Sequence, residues 1–247
     1  MQRRPRLQLE SVLSSISAFN QPEAGKTPAS GWNFTVISDL WRSLKIPAFD
    51  AARIYALDRL ARELAPSLVY HSLAHTRDTV MPLASKLAVM EGLPAYQQEL
   101  VNTGAAFHDL GFVSQYTGHE AVGARIAHEK LPGFGFSSEE IQTIEGMIMA
   151  TVLPQSPHTQ LECIVADADL SILGQDIFLE RNADLRREQA SIGRVFSDSE
   201  WYGGQLKFIQ RHRYFTASAR ALLDARKAVN AAALTALLSE SAVLKQD

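Results

Sequence analysis

The chain has 247 residues, of which 46% are hydrophobic and 21% are charged, a balance typical of a soluble globular protein. Its formal net charge of −3 argues against binding to nucleic acid polymers or to anionic lipid. The single cysteine, Cys163, excludes a disulfide within this chain, and no apolar stretch has the length of a membrane span or of a signal-peptide core. We therefore expect a cytoplasmic protein.

The N-terminal residues 1–31 are predicted to form a peripheral arm. A short amphipathic helix over 7–19 is followed by the segment 20–32, which is rich in the Gly and Pro steps that mark loops. From residue 32 to 240, apolar residues recur at helical spacing, and no alternating strand pattern interrupts them. The sequence therefore predicts an all-α protein with one helical bundle domain at 32–240.

Capping and breaking residues set the predicted helix boundaries. Ser137 with Glu140, and Thr117 with Glu120, fit the capping-box pattern, and a Gly followed by Pro ends a helix at 92–94. In chain order, the predicted helices cover residues 36–44, 49–64, 71–90, 95–107, 117–131, 137–150, 160–173, 177–195, 200–214 and 217–238.

Polar side chains occupy four places in this helical pattern where core residues are expected. A buried imidazole or carboxylate is costly unless a partner compensates it. A divalent metal ion is one partner that suits both, since imidazole provides nitrogen and carboxylate provides oxygen and charge. The four places are His71 with His75, His108 with Asp109, His119 with Glu120, and Asp167 with Asp169.

The spacing within these pairs predicts which side chains share a face. His71 and His75 are four residues apart, so on a helix over 71–90 they lie on one face about one turn from each other. Asp167 and Asp169 are two residues apart and cannot share a face. At most one of these two carboxylates therefore points squarely at a site.

The ordered set His75, His108-Asp109 and a later Asp in Ala-Asp-Leu resembles the HD superfamily of metal-dependent phosphohydrolases, over about residues 70–215. The stretch 70–78 is also similar to the signature of cyclic-nucleotide phosphodiesterases, in which the first His donates a proton and the second binds metal. The chain also resembles a bacterial group described as predicted HD-superfamily phosphohydrolases. The residues that carry this resemblance are the run 166–174, Arg186, Glu188, Tyr202, Gly203, Tyr214 and Thr216.

The resemblance implies a metal site formed by His75, His108, Asp109 and Asp169, with Asp109 also counted as catalytic. Asp169 is preferred to Asp167 because the ligand of this family precedes the apolar turn, which leaves Asp167 on the other side or in the surroundings of the site. Two imidazoles and two carboxylates favour one Mn²⁺, Fe²⁺, Co²⁺ or Ni²⁺ ion, with Mg²⁺ and Zn²⁺ left open.

His71 and Asp78 each have a functional and a structural interpretation. His71 is the candidate general acid, and its alternative is a packed histidine bonded to a backbone carbonyl. Asp78, one turn beyond His75, either orients the ring of His75 or faces solvent. The sequence leaves both alternatives open.

Three further residues are candidates for the surroundings of the site. His119 could line the site or hold a second metal ion. Di-metal members of the HD superfamily usually carry further histidines in the helix that corresponds to 144–151, where this chain offers Thr151 and no histidine, so the resemblance implies one metal. Arg186 is one of several arginines in the C-terminal half that could clamp a phosphate, since a guanidinium binds two oxygens at once. The alternative is that these arginines lie on solvent-exposed helix faces and do not reach the site.

The expected function is hydrolysis of a small phosphate ester, a nucleotide or a related phosphomonoester or diester, through a metal-activated water. One alternative is a non-catalytic module of the same fold that binds a metal or ligand. Another is a di-iron oxygenase of the HD fold, which needs more ligands than this sequence offers. The expected partner is the small-molecule ester, without nucleic acid polymer or membrane, and a homodimer is left open.

Overall fold

The computed structural model describes residues 47–243, with side chains up to Ser241. Over this range the chain forms nine α-helices and no β-strand, which confirms the predicted all-α fold. The predicted arm at 1–31 and the predicted helix at 36–44 lie outside the described residues. Within the described part, no helix is both long and apolar enough to cross a membrane.

The nine α-helices are joined by turns and loops, and in several places a helix continues in π or 3-10 geometry. The α-helices are α1 (Ala48–Glu63), α2 (Met81–Met90), α3 (Ala95–Phe107), α4 (His119–Lys130), α5 (Ser138–Met149), α6 (Gln160–Asp169), α7 (Phe178–Ser191), α8 (Asp198–Arg211) and α9 (Ala217–Val243). The shorter elements are a π-helix (His75–Val80) and three 3-10 helices (Leu110–Val113, Leu131–Phe134 and Leu170–Gly174).

Helix α3 is the central helix of the bundle. It packs against α1, α2, α5 and α6, and most of its C-terminal half is buried. Complete burial of a side chain such as Phe107 contributes roughly 1.5–3 kcal/mol. The end of this helix therefore lies in the interior, so that His108 and Asp109, which follow it directly, are 0% and 3% exposed.

The predicted helix at 71–90 is wrong at its N-terminus, because helical structure begins only at Leu73. The backbone N–H groups of Tyr70 and His71 donate to Glu188 Oε2, at 2.8 and 3.0 Å. A carboxylate from a distant helix thus fixes this segment in a bend. His71 and His75 therefore do not share one helix face.

A π-helix, His75–Val80, leads directly into α2. Pro82 occupies the first turn of α2, where in a continuous α-helix its ring would clash with the carbonyl group of Asp78. The wider π turn lies just before this proline and relieves the clash. Such turns are frequent at functional sites, and this one carries His75.

One predicted capping box is formed and the other is not. The side chains of Ser137 and Glu140 cap α5 reciprocally, as predicted. Helix α4 instead begins after Gly118, which has a left-handed φ of 72° and provides no side-chain cap, so the Thr117–Glu120 box is absent there.

Close backbone contact determines the position of α4. A Cβ at Gly111 would lie 1.8 Å from the carbonyl oxygen of His119, so only glycine permits this approach. The approach brings the start of α4 against the 3-10 turn that follows Asp109. His119 is thereby held beside Asp109.

Helices α7, α8 and α9 form a second, smaller apolar cluster beside the main core. Leu173, Phe178, Ile209 and Leu234 are its buried members. This cluster attaches the C-terminal helices next to the end of α6, where Asp169 lies. The C-terminal helices therefore form one wall of the space above His108 and Asp109.

Candidate functional site

Three predicted metal ligands from separate parts of the chain converge. One ligand atom each of His75, His108 and Asp169 lies within 4.8 Å of the others. Asp169 Oδ1 is 3.4 Å from His75 Nε2 and 3.6 Å from His108 Nε2. An ion with bonds of about 2.1 Å spaces the ligand atoms of an octahedron roughly 3.0 to 4.2 Å apart, so the two separations fit one ion.

Asp109 faces the same point with one oxygen. Its Oδ2 lies 3.2 Å from His108 Nε2 and 3.6 Å from His75 Nε2. Its Oδ1 lies 3.5 Å from Nε2 of His119. The backbone of Asp109 has φ −97° and ψ 3°, the sparsely populated region between α and β in which active-site residues are common. This break after α3 lets two adjacent residues point at one site.

Buried atoms without hydrogen-bond partners support the metal site. His108 Nε2 and Asp109 Oδ2 are both buried and have none among the described residues. Leaving such a group unsatisfied costs about 1–3 kcal/mol, more when it is charged. His108 Nδ1 donates to the carbonyl oxygen of Ala105 at 2.7 Å, which leaves the lone pair of Nε2 facing the site. A bound cation would compensate both atoms, so the donor set fits a divalent metal.

The electrostatics of the cluster also favour positive charge. Burial would lower the pKa of His108, but the carboxylates of Asp109 and Asp169 outweigh it and raise that pKa to about 9. Burial would raise the pKa of Asp109, but the imidazole of His108 holds it well below its usual range. The two carboxylates therefore attract a proton or a metal ion to this point.

His71 is held by a buried glutamate. Its Nδ1 lies 2.5 Å from Glu188 Oε1, and Glu188 is completely buried. Burial would raise the pKa of Glu188, but its hydrogen bonds with His71 and with the N–H of Tyr70 lower it. Since Nδ1 is committed to a carboxylate, Nε2 is the nitrogen that remains for a ligand. His71 is thus a positioned histidine, different from the expected alternative of a ring bonded to a backbone carbonyl.

Aromatic stacking places His71 beside the metal cluster. The ring of Phe112 stacks on His71, with centroids 4.4 Å apart, and on His119, with centroids 3.7 Å apart. The ring of His71 also lies 6.1 Å from that of His75. The candidate proton donor and a candidate ligand are therefore neighbours, although they do not share a helix face.

A cavity of about 570 Å³ opens over the cluster. His71, Asp109, His119 and Asp169 line one side of it. Much of the remaining lining is apolar, with a few amide groups. Its principal members are Leu170, Ile172, Leu173, Phe178, Leu185, Phe208, Asn182, Gln189 and Gln205. A polar cluster together with apolar lining suits a small ester with an organic body.

The arginine at this cavity is Arg194, and the prediction of Arg186 is not supported. Arg186 donates to Asp198 Oδ1 at 2.7 Å and to the carbonyl oxygen of Phe196 at 2.6 Å, and it lines a different cavity. Arg194 lines the cavity that contains Asp109. The turn after α7 carries Arg194 back over the cavity, whereas Arg186 points toward the start of α8.

A chain of hydrogen bonds connects Arg194 with His71. Arg194 Nη1 donates to Gln189 Oε1 at 3.4 Å, and Gln189 Nε2 donates to the hydroxyl of Tyr116 at 3.0 Å. That hydroxyl in turn donates to Glu188 Oε1 at 2.9 Å. Sequence reasoning named Glu188 only as part of the resemblance, and it missed Tyr116 and Gln189. The contact of Glu188 with His71 was not predicted, because 117 residues separate the two and no local pattern links them.

Two other predicted residues differ in their relation to the site. Asp78 is half exposed and accepts hydrogen bonds from Arg77, at 2.9 and 2.7 Å, so it faces solvent and does not orient His75. Thr151 is buried and lines the cavity, and its hydroxyl donates to the carbonyl oxygen of Ile148 at 2.8 Å. Thr151 therefore shapes the wall of the cavity.

Asp167 faces away from the cluster, in agreement with the two-residue spacing, which allows at most one of the two aspartates to point at a site. Its carboxylate accepts the backbone N–H groups of Phe215 and Thr216, both at 2.8 Å, and the hydroxyl of Thr216 at 2.7 Å. These hydrogen bonds would lower the pKa of Asp167, but burial outweighs them and raises it. Because Thr216 in turn accepts the N–H of Ala219, Asp167 supports the N-terminal cap of α9.

The two aspartates should therefore respond differently to alanine. Asp167→Ala should lower the free energy of unfolding by about 2–4 kcal/mol with or without metal, since it leaves buried donors unpaired. Asp169→Ala should cost little in metal-free protein but remove the stabilisation by added metal. Thermal denaturation of both variants, with a chelator and with Mn²⁺, measures this difference. Loss of only the metal-dependent part in Asp167→Ala would contradict the assignment.

The chain was compared with protein-family models, with curated proteins and with solved structures, and none of these comparisons finds a match. The resemblance to the HD superfamily stays a prediction from the sequence. The described residues have an all-α fold with a cluster of His75, His108 and Asp169 that could hold a metal ion.

Proposed function

We propose that this protein is a metal-dependent phosphohydrolase of the HD type that acts on a small phosphate ester, such as a nucleotide or a related monoester or diester. The observation that most supports the proposal is the pairing of two features in one cavity. One is the buried cluster with unpartnered His108 Nε2 and Asp109 Oδ2, and the other is a histidine held by a buried carboxylate. Metal-dependent hydrolysis of phosphate esters uses a cation, and a proton donor assists the departure of a poor leaving group.

His75, His108, Asp109 and Asp169 would hold one divalent ion. We expect Mn²⁺, Fe²⁺, Co²⁺ or Ni²⁺ before Mg²⁺ or Zn²⁺, because two nitrogen and two carboxylate ligands match the borderline ions best. When bound, such an ion polarises a phosphoryl oxygen and lowers the pKa of a water molecule.

His71 would donate the proton that the leaving oxygen needs. Glu188 accepts the hydrogen bond of Nδ1 and so directs Nε2 into the cavity. The completely buried carboxylate also holds the ring in this orientation. Phe112, stacked on the ring, limits its rotation. Glu188 is in this view a positioning residue and His71 a catalytic one.

Arg194 and the apolar wall would bind the rest of the substrate. The guanidinium of Arg194 is at the cavity and can pair with phosphoryl oxygens in a bidentate manner. The leucine, isoleucine and phenylalanine side chains that line the cavity would exclude water from the organic body of the ester. A cavity of about 570 Å³ accommodates a molecule of nucleotide size, not a polymer.

The test is metal analysis followed by an ester screen. Wild-type protein should bind about one ion per chain and release nitrophenol from 4-nitrophenyl phosphate or its diester, or phosphate from nucleotides, when Mn²⁺ or Ni²⁺ is added. Chelation should remove the activity, and metal should restore it. Asp169→Ala should be inactive, whereas the control Asp176→Ala, at a position 82% exposed, should keep wild-type activity.

Two results would contradict the proposal. Bound metal without turnover of any ester would indicate a binding module. Two irons per chain with an oxygen-dependent optical change would indicate an oxygenase.

A further inference from the structure

A second compartment adjoins the catalytic cavity. It has a volume of about 650 Å³ and lies between α8 and the loop before α6. Leu153, Leu170 and Phe208 line both spaces, so the two compartments adjoin along this wall. Leu170 directly follows the candidate ligand Asp169. A ligand at the metal cluster that passes over this shared wall would reach the second compartment.

The second compartment is basic, although the chain as a whole is acidic. Lys207, Arg211 and Arg213 line it, and no carboxylate is among the described residues that do, whereas the net charge of the chain is −3. Arg213 donates to the carbonyl oxygens of Gln210 and His212 at the end of α8. It thereby offsets the negative end of the helix dipole.

Lys207 and Arg211 have no such internal role. They are four residues apart on α8, exposed on the same face, and neither pairs with a carboxylate of the described chain. Surface cations in this protein are commonly paired, as Arg226 with Asp176 and Arg186 with Asp198 show. Two unpaired cations at one end of a cavity indicate a site for negative charge.

His212 adds a polar group to the same wall. Both of its ring nitrogens are buried and have no hydrogen-bond partner in the described part of the chain. Burial and the neighbouring cations Lys227 and Arg213 lower its pKa to about 4, so the ring is neutral at pH 7. A neutral imidazole can donate one hydrogen bond to an oxyanion.

We propose that Lys207, Arg211 and His212 form a second-anion subsite that binds a distal phosphate of the substrate. The preferred substrate is then a compound with two separate phosphate groups, one at the metal cluster and one on α8. This inference rests on the proposed function, and it narrows the substrate class. A phosphate is favoured over a carboxylate because the guanidinium fork and the lysine point charge together suit a multiply charged anion.

The experiment compares alkanediol bisphosphates, from ethanediol to octanediol, with alkyl monophosphates of the same chain lengths. This series covers a range of distances between the two phosphates. Wild-type protein loaded with Mn²⁺ should favour the best bisphosphate over its monophosphate by about 10- to 100-fold in kcat/KM, as expected for one or two charge-assisted contacts. Calorimetry with the same pairs gives the ratio of affinities without requiring turnover.

Charge-neutral variants identify the subsite. Lys207→Gln with Arg211→Gln should reduce the bisphosphate preference to near unity. The control Lys86→Gln, which removes an exposed cation on α2 that lines neither compartment, should retain it.

Each outcome has a definite meaning. Equal affinity of wild-type protein for bisphosphates and monophosphates at every chain length would overturn the second-anion subsite, even if the esters are hydrolysed. A preference that survives in the double variant would also overturn it. A preference in binding that the double variant loses, without turnover of any ester, would support the subsite and contradict the phosphohydrolase.

Discussion

His108→Ala should abolish tight metal binding and, with it, the hydrolysis of every ester. The variant removes a buried nitrogen that faces Asp109 Oδ2 at 3.2 Å and Asp169 Oδ1 at 3.6 Å. An ion that binds only the folded protein stabilises it by about 3–4 kcal/mol at saturating concentration. Addition of Mn²⁺ to chelator-treated protein should therefore raise the melting temperature of the wild type and leave that of His108→Ala unchanged.

The comparison uses the change in melting temperature caused by metal, because removal of a buried side chain also destabilises the metal-free protein. His128→Ala is the matched control. His128 is 73% exposed and bonds to Glu145 at 2.8 Å on the outer surface of α4. This control should keep the full response to metal. If chelation leaves the melting temperature of the wild type unchanged, the cluster does not contribute to stability through an ion, and the metal assignment is wrong.

The sequence predicted the residues of the candidate metal cluster through the resemblance to the HD superfamily, and the local pattern around several of them agrees with it. His108 and Asp109 end an apolar helix, and Asp169 differs from Asp167 by the two-residue offset that turns side chains to opposite faces. A polar group in a buried helix is recognisable without knowledge of the neighbouring helices. The distances among these side chains, however, depend on how α3 and α6 pack, which the sequence does not state.

The parts that sequence reasoning missed depend on contacts between distant segments. The prediction that His71 and His75 share a face assumed a regular helix, but Glu188 binds the backbone of Tyr70 and His71 and prevents it. Similarly, Arg194 and not Arg186 reaches the cavity, because α7 ends at Ser191 and the chain turns back. The residue pattern of α7 does not predict the direction that the chain takes after this helix ends.

Close packing explains why a second histidine lies next to Asp109. Gly111 admits the backbone of α4, and a side chain there would collide with the carbonyl oxygen of His119. His119 Nδ1 lies 3.2 Å from the carbonyl oxygen of Tyr116, so its Nε2 faces Asp109. Burial would lower the pKa of His119, but its interaction with Asp109 outweighs burial and raises it. Asp109 therefore lies between two histidines: Oδ2 is near His108, and Oδ1 is near His119.

His71→Asn should retain the fold and the metal while it reduces turnover by about 10²–10⁴, the usual contribution of a positioned proton donor. The loss should be smallest for esters of nitrophenol, whose leaving oxygen hardly needs a proton, and largest for alkyl esters. His75→Asn should instead lose metal and activity together, whatever the leaving group, because His75 Nε2 lies 3.4 Å from Asp169 within the cluster.

Glu188→Gln tests whether the buried carboxylate acts through His71. We expect an intermediate loss of about 10- to 100-fold, as for other groups that orient a functional histidine. The loss should show the same dependence on the leaving group as in His71→Asn, which a purely structural defect would not produce. The double variant should then be no slower than His71→Asn alone, because Glu188 has no proton donor left to orient.

The role of His71 itself is tested by measuring metal content together with kcat. If His71→Asn loses metal as His75→Asn does, His71 is a ligand. If it loses neither metal nor activity, the proton comes from His119 or from water.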